Sequence, residues 1–114
     1  MSEVTILSSI RSALDADLDE GFDQDLIMHI NSVFATLNQL GIGPENGFEI
    51  STGNEVWSDF LNNDPKINSV KTYMYQKLRL IFDPPQNSFL VDALEKSTKE
   101  LEWRLMVAKD PTIE

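Results

Sequence analysis

Four stretches of this chain place apolar residues three or four positions apart, and that spacing commits most of it to amphipathic helices. The second stretch is the clearest, since Leu26, Ile30, Val33, Leu37 and Leu40 step by 4, 3, 4 and 3. Asp23 is its candidate cap, with Phe22 positioned to staple against Ile27, and Gly41 supplies a stop. A shorter first helix is expected over about Val4 to Leu14, where Ile6, Ile10 and Leu14 share a face. Asp64 at the cap and Pro65 at the first helical position open a third, whose stripe is Ile67, Val70, Met74, Leu78 and Ile81. The Pro84-Pro85 pair ends it, because a residue preceding proline is pushed out of the helical region. The fourth runs from Asn87 or Ser88 to about Lys109 on Val91, Leu94, Thr98, Leu101, Leu105 and Ala108, and residues 110–114 form a frayed tail.

Between the second and third helices the period disappears. Gly41, Gly43, Pro44, Gly47 and Gly53 interrupt the chain, and Phe48-Glu49-Ile50 alternates as a strand does. A turn at Thr52-Gly53-Asn54 returning through Val56 predicts a small β-hairpin or extended loop over residues 42–56, leaning on the helices or on a neighbouring subunit. Trp57, Phe60 and Leu61 suggest a helical turn, with Trp57 packing the insertion on the helices. The expected fold is all-α: one domain over residues 1–114, a bundle of about four helices carrying that insertion.

Charge narrows the function. The formal net charge is −10, and all of it lies in residues 1–60, which hold eleven acids against the single base Arg11; residues 61–114 balance eight against eight. A protein that grips nucleic acid needs a basic patch to displace counterions, so direct DNA binding is not expected. An acidic surface either keeps the protein soluble, repels nucleic acid or meets a basic partner. With no cysteine there is no disulfide framework and no thiolate site. No apolar run is long enough for a membrane span, and Met1-Ser2-Glu3 does not open a secretory signal, so a product made in a cytosol is expected.

Candidate chemical motifs fail on spacing. An EF-hand read from Asp15 would need glycine at position six and glutamate at position twelve, where Glu20 and Leu26 stand. Residues 15–21 are therefore read as a solvated acidic linker. Gly41-Ile42-Gly43 follows a helix, whereas a phosphate-binding glycine loop follows a strand. His29 is the only histidine and has no nucleophile patterned around it. No catalytic residue, metal or cofactor is expected.

The last helix carries more information. With Leu101 at zero on a helical wheel, Leu105 lies about 40° away, Met106 about 140°, Trp103 about 200° and Val107 about 240°. Its C-terminal end is apolar almost all round, and in the third helix Tyr75, Arg79 and Phe82 form a second, semi-apolar face. Each second face is either sandwiched within the fold or presented to another subunit, where Trp, Tyr and Arg are the usual anchors. So short a chain has few internal layers to cover them, which favours oligomerisation.

Several segments together resemble a known family. They are Ile27-Met28-His29-Ile30-Asn31, Leu40-Gly41-Ile42-Gly43-Pro44, Trp57-Ser58-Asp59-Phe60, Asp64-Pro65-Lys66, the run Tyr73 to Pro85 with its Phe82-Asp83-Pro84-Pro85, and Glu100-Leu101-Glu102-Trp103-Arg104-Leu105. Across residues 22–108 the chain resembles the small head–tail connector proteins (adaptor or head-completion proteins) of tailed phages. The resemblance implies a virion subunit, assembled in the host cytoplasm, with no enzymatic step. It would form a homo-oligomeric ring of about twelve copies beneath the portal, extend the DNA channel and give tail or stopper proteins a docking surface. A ring requires two different faces per subunit, matching the second faces carried by Tyr75, Arg79 and Phe82 and by Trp103, Met106 and Val107. A conduit must let DNA pass unbound, so some of Asp15, Asp17, Asp19, Glu20, Asp23 and Asp25 are expected to face the lumen. The alternative is an acidic DNA mimic that inhibits a basic nucleic-acid-binding protein, though such a mimic should carry charge along its whole length.

Overall fold

The computed structural model describes residues 4–14, 23–61, 64–82 and 84–109, with residues 108 and 109 described by backbone alone. It is mostly helical, with five helices among those residues: α1 (Ile6–Ala13), α2 (Asp23–Gln39), α3 (Trp57–Phe60), α4 (Ile67–Phe82) and α5 (Ser88–Lys109). Their limits follow local chemistry. Thr5 caps α1, its hydroxyl accepting the Ser8 N–H at 3.1 Å. At the end of α2, the Ile42 N–H reaches the Leu37 carbonyl at 2.9 Å and the Gly41 N–H reaches that of Asn38 at 3.0 Å. This is a Schellman closure; Gly41 supplies the left-handed φ of 84° it requires, and buried Ile42 covers Leu37. Asp64 opens α4 by accepting the Lys66 N–H at 2.9 Å, and the Asn87 side chain accepts the Phe89 N–H at 2.7 Å to open α5.

One core unites these elements. Ile6, Ile10 and Leu14 of the α1 region, and Leu26, Ile30, Val33, Phe34 and Leu37 of α2, are buried as their spacing predicts. The one-turn α3 buries Trp57 and Phe60, and Phe34 packs against Phe48 and Phe60 with ring centroids 4.9 and 4.7 Å away. The indole N–H of Trp57 donates to the Ser9 hydroxyl at 3.1 Å, so this tryptophan also ties α3 to α1. Helix α4 lies between α2 and α5 and buries Val70, Tyr73, Met74 and Leu78.

The structure settles one open expectation and corrects another. Of the two forms expected for residues 42–56, hairpin or extended loop, the described residues show the loop and no hairpin. Val56 pairs instead with Thr5 in an isolated antiparallel bridge, reinforced by the Ile6 N–H donating to the Glu55 carbonyl at 2.9 Å. Two short strands would be marginal alone, and here the Asn31 side chain takes the place of a second strand. Its Oδ1 accepts the Ile50 N–H and its Nδ2 donates to the Ile50 carbonyl, both at 2.8 Å. The correction is Ile81, read as part of the α4 core stripe but 52% exposed; Tyr73 is buried in the middle of the helix instead. The stripe and the second face at Tyr75, Arg79 and Phe82 both left Tyr73 out, whereas α4, lying between two neighbours, buries it. The hydrophobic staple of Phe22 on Ile27 lies outside the described residues.

Candidate assembly surface

The surface begins with how α5 is held. Its inner stripe, with Thr98 and Leu105 buried and Val91, Leu94 and Leu101 half-buried, lies along α4. Polar pairs fix the register between the two helices. The Tyr73 hydroxyl donates to Glu102 at 2.7 Å, Gln76 Nε2 donates to the Ser97 hydroxyl at 3.2 Å, and the Thr98 hydroxyl lies 3.1 Å from Gln76 Oε1. Burial pushes the Tyr73 phenol up, and the carboxylate of Glu102 adds to the shift, so Tyr73 stays neutral and keeps donating. The register is therefore set by pairs inside the α4–α5 contact, which orients everything on the far side of α5.

That far side is apolar at both ends. Trp103 is 59% exposed and Met106 44%, and Val107 is half-buried. At the other end Phe89 is 74% exposed and Leu90 51%, close in sequence to exposed Ile81 across the Pro84-Pro85 corner. Taking an exposed Phe or Trp side chain out of water is worth about 1.5–3 kcal/mol, so this surface can drive association if another surface covers it. Phe89 is the functional candidate that sequence reasoning missed. It lies only about 40° from Trp103 on the helical wheel, so extending that wheel to the N-terminal end would have found it.

The α4 residues behave differently. Tyr75 and Phe82 are half-buried and pack on the core, and the Phe82 ring meets His29 edge-on at 5.2 Å. Arg79 is half-buried and engaged within the chain. Tyr75 and Phe82 thus make contacts inside the fold, while Trp103 and Met106 leave most of their possible contacts open.

Of the six acids proposed to line a channel, Asp15, Asp17, Asp19 and Glu20 lie outside the described residues. Asp23 and Asp25 occupy the first turn of α2, where negative charge is favoured by the helix dipole. Asp25 is exposed, whereas Asp23 is drawn toward Arg11 of α1, with Oδ1 at 3.5 Å from Nε. Another acid, Glu55, is held internally. Its carboxylate accepts the Ser51, Thr52 and Gly53 N–H groups at 2.8, 3.3 and 3.0 Å. Burial pushes this carboxyl up, but the N–H groups outweigh it and hold it down at about 2. No group of three or more potential metal-ligating side chains occurs among the described residues. None of their helices is long and apolar enough to cross a membrane.

A family model described as phage connector protein matches residues 6–112. No curated protein and no solved structure matches the chain.

Proposed function

We propose that this chain, which belongs to the phage connector protein family, works as a ring-forming subunit beneath the portal. Membership gives it a structural role in the virion, joining head to tail through contacts with portal and tail components. The ring, its copy number of about twelve and its assembly in the host cytoplasm are our reading. The observation that carries it is the exposed apolar end of α5, where Trp103 and Met106 stand on a helix whose opposite side is already docked on α4. Closing a ring requires one such face to meet a different face of the next subunit. Trp103, Met106 and Val107 supply the first. Tyr75, Arg79 and Phe82 contribute to the second from their half-exposed edges. The 42–56 loop is pinned on its own chain at Phe48, Ile50 and Val56, and its exposed residues, Glu45, Asn46 and Glu49 among them, are what it offers to a neighbour or the portal.

In this reading the protein acts by shape and charge, with no chemical step. Asp25 and the acids of the 15–21 linker, repeated around a ring, would repel DNA phosphates and keep the channel from retaining its cargo. The DNA-mimic alternative fits less well, because the α4–α5 half carries no net charge to imitate a phosphate ladder.

The test is to mix the purified chain with portal rings, measure mass by light scattering and image the product by electron microscopy. A ring of connector subunits added to the portal is expected, and the double variant W103A/M106A should add none while keeping its helical circular dichroism. Failure of the unaltered chain to bind portal would refute the reading. A ring that places all of Asp15, Asp17, Asp19, Glu20, Asp23 and Asp25 on its outer wall would refute the channel role alone.

A further inference from the structure

The outer side of α5 has a pattern that the ring does not require. Phe89, Ala93, Lys96, Glu100, Trp103 and Val107 step by 4, 3, 4, 3 and 4, the spacing of a coiled-coil seam. All six fall within about 40° of the point diametrically opposite buried Thr98 on the helix. Phe89, Ala93, Lys96, Glu100 and Trp103 are exposed and Val107 is half-buried, so α4 leaves this strip uncovered.

The order of the strip identifies its occupant. It is apolar at both ends and charged in the middle, with opposite signs at Lys96 and Glu100. When a second α5 is laid against it in the reverse direction, centred on residue 98, the strip complements itself. Phe89 then faces Val107 of the second copy, Ala93 faces Trp103, and Lys96 faces Glu100, with every pairing made twice about a two-fold axis. Small Ala93 opposite large Trp103 is the size match that packing between two helices favours. A parallel pair would set Lys96 against Lys96 and Glu100 against Glu100, which is repulsive. Leu90 and Met106, 51% and 44% exposed, flank the two apolar ends and widen the covered area. Lys99 stands next to its own copy near the axis, a like-charge contact that weakens the pair and keeps it reversible.

We propose that two copies of this chain associate through α5 as an antiparallel, two-fold pair. The pairing rests on the placement of α5 alone, and only its consequence for ring closure rests on the connector reading. Because the pair covers Trp103, Met106 and Val107, it competes with any ring contact made through them and holds free subunits out of premature ring closure.

Charge exchange tests the pairing, using sedimentation equilibrium of the full chain over a concentration series. The unaltered chain should show a monomer–dimer equilibrium. K96E, which puts an acid opposite Glu100 twice per dimer, should raise Kd by at least about tenfold. The double variant K96E/E100K should return Kd to within about threefold, since swapping the two charges restores opposite signs between the antiparallel copies, while within α5 it exchanges the exposed Glu100–Arg104 pair for one between residues 96 and 100. These positions are exposed, and circular dichroism checks that helicity is unchanged. Orientation is read from single cysteines in a chain that otherwise has none: K99C should cross-link to itself under mild oxidation far faster than A93C. A chain that stays monomeric or goes directly to rings, a double variant as weak as K96E, or A93C cross-linking faster than K99C would each overturn the proposal.

Discussion

Glu55 and Gly43 show how single residues govern the irregular half of the molecule. The Glu55 carboxylate collects the N–H groups of residues 51–53, which no helix or sheet satisfies, and its backbone carbonyl holds the start of α1. Its carboxyl lies at about 2 in the fold against a reference of 4.5. A depressed carboxyl stabilises the fold above its unfolded value, and that contribution disappears as pH falls from about 4.5 toward 2. Urea titrations across that interval should show stability declining in the unaltered chain and a flatter profile for E55Q. Gly43 has a φ of 92°, and a Cβ there would stand 2.3 Å from Cε1 of Phe60. G43A should therefore destabilise by about 2 kcal/mol or more, read as a lower denaturation midpoint, through both backbone strain and displacement of the buried ring. Neither effect was legible in the sequence. The glycine marked a break in the helical pattern, but nothing nearby in the chain identified Phe60 as its neighbour.

At the scale of elements, helices were legible and the loop was not. Periodicity located α1, α2, α4 and α5, and the ends of α2 and α4 followed from Gly41 and from Asp64-Pro65, because caps are made by residues adjacent in the chain. The 42–56 segment stayed open between hairpin and loop for the opposite reason. Alternation at Phe48-Glu49-Ile50 is equally the signature of a strand and of extended chain pinned from one side, and the pin is Asn31, nineteen residues away. N31A should leave both peptide groups of Ile50 without protein partners and destabilise by about 2–3 kcal/mol in chemical denaturation. The same distance limit explains Ile81 and Tyr73. A stripe shows that a helix has a buried face, but the number of neighbours around it sets how many faces it buries. With α2 and α5 both against α4, Tyr73 is enclosed and its hydroxyl meets Glu102, while Ile81 is left exposed near the corner.

For the whole molecule, the second faces of α4 and α5 proved unequal. Tyr75 and Phe82 pack on the core, whereas Trp103 and Met106, joined by Phe89, remain on a side of α5 that α4 does not cover. A polar substitution there should change association and leave the fold alone. F89S is expected to shift unfolding free energy by no more than about 0.5 kcal/mol in thermal melts, while lowering the weight-average mass at equal concentration in sedimentation. The sequence by itself determined that the chain is helical, where its long helices stop, and that its excess negative charge lies in the first half, since these depend on residues near one another in the chain. Its resemblance to connector proteins likewise needed only the residues in order. Only the tertiary structure decided which of two apolar faces is covered, since covering a face takes a second element brought there by the fold. That decision left the α5 surface uncovered and moved the weight of the functional argument from α4 to Phe89, Trp103 and Met106.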